Sequence, residues 1–170
     1  MGQRHQAFLI ARVRPKHGEP AYRCIAACHH QFCAGVLPLR AVYRFIRLIT
    51  QPENAAIVRT ELHEIDGKYG RSRQDGGRMP QVPCPYSVSL LATAWTTNLD
   101  PSIGSPQYDG FTLRHAVLDA TMGCWGGDNN EGISIIDVTD PLHPAYCFLR
   151  RERPLSAYEY LEGYYGMKGK

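Results

Sequence analysis

Two short stretches concentrate the side chains that move protons or hold ligands. One is QRHQ, Gln3 to Gln6; the other is HHQ, His29 to Gln31. Imidazole titrates near neutral pH, so His5, His29 and His30 could act as general acid, general base or metal ligand. Gln3, Arg4 and Gln31 add amide and guanidinium groups to the same neighbourhood. If a strand runs on through His29 and His30, only one of them enters a given pocket, because successive strand side chains face opposite ways. His29 and His30 are the candidate catalytic residues. Gln3, Arg4, His5 and Gln31 are candidate ligand-binding residues.

A second polar cluster lies in GGDNNEGI, Gly126 to Ile133, which carries Asp128, Asn129 and Asn130. Hard cations favour such oxygens, although the glycine spacing is not that of an EF-hand loop. Asn129 and Asn130 join the ligand-binding candidates. A divalent cation, the one cofactor this pattern raises, would draw on His5, His30 and Asp128. Turn propensity and the satisfying of strand ends account for the same residues with no ligand at all.

Other chemistry is thinly supported. The six cysteines, Cys24, Cys28, Cys33, Cys84, Cys124 and Cys147, form no C-x-x-C pair, and their spacing is not that of a zinc knuckle. Cys28 or Cys33 beside His29 would make a nucleophile only if the fold paired them. No G-x-S-x-G, P-loop or G-x-G-x-x-G occurs.

The alternative function is a nucleic-acid or protein-interaction module. Arg40, Arg44 and Arg47 fall on one helical stripe, and Lys68, Arg71, Arg73 and Arg78 follow in a glycine-rich loop. A net charge of +3 is mild, and Glu53, Glu61, Glu64 and Asp66 dilute the field.

The elements that must position these groups are legible in outline. QAFLIARVR (Gln6–Arg14) and YRCIAAC (Tyr22–Cys28) read as strands joined across PKHGEP. A hairpin centred near Gly18 sets Phe8 opposite Cys28 and Gln6 beside His30, bringing QRHQ and HHQ to one end. Residues Pro38–Thr50 and Pro52–Asp66 read as an αα-hairpin with Val42, Phe45, Ile46 and Ile49 inward on the first helix, and Val58, Leu62 and Ile65 on the second. YSVSLLATAWTT (Tyr86–Thr97) reads as a strand, and Phe111–Leu118 as a short one. ISIIDV and AYCFLR form a second hairpin, and Ser156 with Glu159 predicts a capping box opening a final helix.

The 170 residues, 44% hydrophobic and 21% charged, suit one domain with its own core. The fold class expected is α+β: a single domain over 1–170, an antiparallel sheet covered by the αα-hairpin and the C-terminal helix, with a mobile basic loop at 67–85. No apolar run approaches the roughly 20 residues of a membrane span, and no secretory signal is visible. The expected protein is cytoplasmic, with no membrane partner. Its partner is a small molecule or cation in preference to nucleic acid, and acid–base catalysis by histidine is open to it.

The succession MGQRHQ, HHQ, PLR and DNN-x-GI-x-IIDVTDP resembles a group of short uncharacterised proteins of filamentous fungi, with phage relatives. The resemblance covers most of the chain and carries no activity over. GISIIDVTDPLHPAYCF is similar to one LVIVD-type β-propeller repeat, but it occurs once, where a propeller needs several. The element order resembles that of N-terminal nucleophile hydrolases, yet Gly2 behind Met1 offers no attacking group, so at most an architecture is shared.

Overall fold

β-branched and small apolar residues, run almost without interruption, build two long strands, β1 (Arg4–Val13) and β2 (Ala21–Gln31). The computed structural model describes residues 2–70, 77–97, 114–121, 129–150 and 153–166. After β2 come three helices, α1 (Val36–Ile49), α2 (Pro52–Ile65) and α3 (Pro85–Thr96). Strands β3 (Arg114–Val117), β4 (Ile133–Asp137), β5 (Ala145–Arg150) and β6 (Arg153–Leu155) follow, and α4 (Ala157–Tyr165) closes the succession.

One six-stranded sheet, ordered β3-β2-β1-β4-β5-β6, carries the fold. Among the described residues every pairing is antiparallel except β1 with β4, which is parallel. The expected α+β domain is therefore present, with one parallel seam in a mostly antiparallel sheet. The helices pack on the face that carries Ala7, Leu9, Ala11 and Val13, where they close a core with Phe45, Val58, Leu91, Trp95, Ile136 and Phe148.

The hairpin register differs from the expected one. The turn closes with Val13 facing Ala21, two residues off the expected register, and a bulge between Leu9 and Ile10 recovers one of them, so Phe8 faces Ala27 and Gln6 faces His29. His5 thereby becomes the cross-strand neighbour of His30.

The segment Tyr86–Thr97 is helix, not strand. Pro85 occupies its first turn, and Val88, Leu91, Ala94 and Trp95 point inward at helical spacing. Its N-terminus has no side-chain cap of its own. Glu61 of α2 supplies one from a distance: its carboxylate accepts from the Tyr86 N–H (2.6 Å), the Ser87 N–H (2.9 Å) and the Ser87 hydroxyl (2.7 Å). A buried anion at the positive end of a helix satisfies orphan donors and the helix dipole together.

The C-terminal helix matches its signal. Ser156 accepts from Glu159 N–H, and the Glu159 carboxylate accepts from Ser156 N–H, a complete capping box. Tyr160 of this helix stacks on Phe148 with ring centroids 4.8 Å apart. Its last turn closes on the start of α1, where Gly35 leaves the space: a Cβ there would lie 2.8 Å from the Tyr165 hydroxyl. Among the described residues no helix is long and apolar enough to cross a membrane. Residues 71–76, the middle of the expected mobile loop with Arg71 and Arg73, lie outside the described residues, as do Asp128 and Cys124.

Candidate functional site

The parallel seam decides where the polar motifs meet. Because β4 runs alongside β1 in the same direction, the segment entering β4 reaches the end of the sheet where β1 begins and β2 finishes. Three segments therefore converge: Gly2–Gln6, His29–Phe32 and Asn129–Gly132. Phe32 N–H donates to the Gln3 carbonyl, Glu131 N–H to the Arg4 carbonyl (2.9 Å), and Gln6 N–H to the Gly132 carbonyl (3.3 Å).

Asn130 works here as a piece of false backbone. Its side-chain carbonyl accepts from Arg4 N–H at 2.8 Å, and its amide donates to the Gly2 carbonyl at 3.3 Å. That double contact extends the ladder by one rung and ties the opening residues to the sheet. Its amide is thereby committed to the chain itself. Asn129 also serves the turn, accepting from Gly132 N–H. Gln3 is exposed, with its amide 3.5 Å from the Tyr164 hydroxyl.

The strand continues through His29 and His30, so the two part to opposite faces. His30 is fully buried on the helix side and stacks on Trp95, centroids 5.3 Å apart and planes 14° from parallel. His5, also fully buried, shares a hydrogen bond of 2.8 Å between Nε2 and the Ser134 hydroxyl. Burial drives the His5 pKa down to about 3; the Glu131 backbone carbonyl opposes that shift, and nearby His29 adds to it. His5 is thus a neutral core imidazole.

A polar cluster surrounds these two rings that the sequence did not announce: Ser134, Glu131, Tyr160 and Cys33. The Tyr160 hydroxyl donates to the Glu131 carbonyl at 3.2 Å. Burial pushes the Cys33 thiol up to about 12, against an opposing hydrogen bond from Trp95. Burial lifts Cys28 to about 12 as well. Neither is a thiolate at neutral pH, so the cysteine–imidazole nucleophile lacks its anion. Ser134 carried one signal: it is the only polar residue at an inward position of ISIID.

His5 and His30 are cross-strand neighbours, but among the described residues no group of three His, Cys, Asp or Glu could hold an ion. Asp128, the third expected ligand, lies outside the described residues.

On the opposite face the picture changes. Gln6 is 1% exposed, and among the described residues no donor reaches its Oε1. Its cross-strand neighbour His29 is half-buried, and its Nδ1 is likewise buried with no partner. Side chains on that face of the flanking strands include Phe8, Ala27, Ile133 and Ile135, all apolar. Two cross-strand neighbours in an apolar setting, each with a buried polar atom that has no mate, are unusual in a folded protein. Arg4 and Gln31 continue the same row towards the rim.

Phe32 follows Gln31 and holds φ at 58°, the one left-handed non-glycine residue among those described. Its ring is 51% exposed. An aromatic residue kept in that conformation costs about 1 kcal/mol or more. We expect Phe32→Gly to raise stability by about 1 kcal/mol, read as a higher denaturation midpoint. A lower midpoint would mean that ring packing outweighs the backbone cost.

The arginine stripe does not form a free solvated face. Arg44 is 7% exposed, and its Nε donates to the Ala94 carbonyl near the end of α3 at 2.6 Å. Arg47 is exposed and Arg40 half-buried. A cation at the C-terminal end of a helix is stabilising there, which explains Arg44 as a packing residue.

No family model matches this chain, and neither a curated protein nor a solved structure does.

Proposed function

We propose that the protein binds a small, neutral, planar molecule at the end of the sheet where β1, β2 and β4 meet, on the face away from the helices. The observation that carries this is the pair of unmated buried atoms, Gln6 Oε1 and His29 Nδ1, on residues paired across neighbouring strands. Burying such atoms costs about 1–3 kcal/mol each unless something hydrogen-bonds to them. An amide or lactam edge fits: its N–H donates to Gln6 Oε1, and its carbonyl accepts from, or its second N–H donates to, His29 Nδ1. Phe32 offers a ring at the rim against which a flat ligand could stack.

His29 is also the imidazole placed to exchange a proton with such a ligand, whereas His5 and His30 are enclosed on the other face. The buried histidines and the engagement of Asn130 favour a small molecule over a cation. The burial of Arg44 takes one member from the nucleic-acid stripe, which favours a small molecule over nucleic acid. The free thiols Cys24, Cys28, Cys33, Cys84 and Cys147 favour a reducing, cytoplasmic setting.

Uracil and nicotinamide are suitable probes, titrated while the His29 imidazole resonances are followed by NMR. We expect saturable shifts with at least one probe and none in Gln6→Met. The same substitution should raise unliganded stability by about 1–2 kcal/mol, because it removes an unmated acceptor. Flat titrations with both probes would overturn the proposal.

A further inference from the structure

A second recess lies on the helix side, between α1 and β5, independent of the rim. It encloses about 290 Å³ and is lined by Leu39, Arg40, Val42, Tyr43, Ile46 and Tyr146. That is just below the roughly 300–1,000 Å³ typical of small-ligand sites. Three of these are aliphatic, Leu39, Val42 and Ile46, and two are tyrosines. Tyr146 is braced edge-on against Phe148, with centroids 5.9 Å apart.

The two elements that line it carry charge of one sign. α1 contains Arg40, Arg44 and Arg47 and no acid; β5 contains Arg150 and no acid. Arg44 is turned away to Ala94, but Arg40 lines the recess itself. Arg47 lies over the Tyr43 ring, 5.9 Å from its centroid, and keeps its charge at the same wall. Among the described residues no carboxylate pairs with Arg40. An apolar floor with a half-buried guanidinium at its edge is complementary to a molecule that is apolar along its body and anionic at one end.

We propose that this groove binds an amphipathic carboxylate, with its aliphatic or aromatic body against Leu39, Val42 and Ile46 and its carboxylate on Arg40. The planar fork of arginine suits a carboxylate bidentately.

The test uses the full chain and two probes of equal length, decanoate and decanol, followed through the Ile46 methyl resonance. Decanoate should shift that resonance saturably and bind roughly tenfold more tightly than decanol, the factor a charge-assisted hydrogen bond supplies. Arg40→Gln should remove most of that advantage and leave decanol binding unchanged. Equal binding of the two probes by the wild type would overturn the proposal, as would an Ile46 resonance that neither probe moves. Light scattering as a function of concentration covers the remaining occupant: a dimer abolished by Tyr43→Glu would assign the groove to a second copy and overturn the proposal too. None of these readouts involves Gln6 or His29, so failure here leaves the rim site standing, and the reverse.

Discussion

Acidification from pH 6.5 will strip stability from this protein at about 1.4 kcal/mol per pH unit through His5 alone. The unfolded chain binds a proton at His5 with the ordinary histidine pKa of 6.5, whereas the folded protein holds it off until about 3. Below pH 6.5 the unfolded state therefore carries the extra proton, and the equilibrium moves towards it. The stability contributed by the neutral ring is complete above pH 6.5 and drains as the pH falls towards 3. His5→Gln keeps a polar atom within reach of Ser134 but has nothing to titrate. Urea unfolding of both proteins at pH 7.5, 6.5, 5.5 and 4.5 would show the wild type losing ground faster below pH 6.5 on the order of 1.4 kcal/mol per unit. Parallel pH profiles would mean that His5 is protonated in the fold, and that the account of it as a buried neutral ring is wrong.

The second large effect is expected at Glu61. Glu61→Leu strips three donors at the start of α3 of their acceptor, two of them on Ser87, which is fully buried. Water has little access to replace the carboxylate there. The loss should be roughly 3–5 kcal/mol, combining stranded donors with the lost anion at the helix N-terminus. Glu61→Gln retains one acceptor and the shape, and should recover about half of that. Chemical denaturation of the three proteins, with helix content followed by circular dichroism, measures both. A leucine variant as stable as the wild type would show that α3 holds its start without help.

These two residues show where the sequence was readable and where it was not. The two long strands, the αα-hairpin, the β4–β5 hairpin and the Ser156 capping box are local: propensity, periodicity and turn chemistry lie within a few residues of one another. α3 was misread as a strand because its alternation at Val88, Leu90, Ala92 and Ala94 is real. The feature that favours helix, a cap at its first turn, comes from Glu61 on another element. The hairpin departs from its expected register because its turn is centred on His17, not Gly18, and the bulge at Leu9 and Ile10 that recovers part of the shift leaves no mark in a run where every residue is apolar. Arg44 looked like part of a charged face because its acceptor, the Ala94 carbonyl, belongs to a helix the pattern did not give.

The meeting of QRHQ with HHQ was legible from chain direction alone. That the Asn129–Asn130 turn joins them was not, since it follows from the parallel seam. The division of labour between the two faces rests on the register too. With Gln6 opposite His30, as the turn geometry had it, an amide and an imidazole would share the helix side. With Gln6 opposite His29, two imidazoles share the enclosed side and the unmated pair sits on the other.

The parallel seam also governs how the chain is made. β1 leaves the ribosome long before its partner β4, which lies far down the chain. Until β4 arrives, the β1 flank of the nascent hairpin exposes backbone donors and acceptors that can recruit a neighbouring chain. Such sequence-distant pairing makes high contact order, with folding in milliseconds to seconds rather than microseconds. During synthesis, the β1–β2 hairpin depends on something other than its own sheet to keep that flank covered.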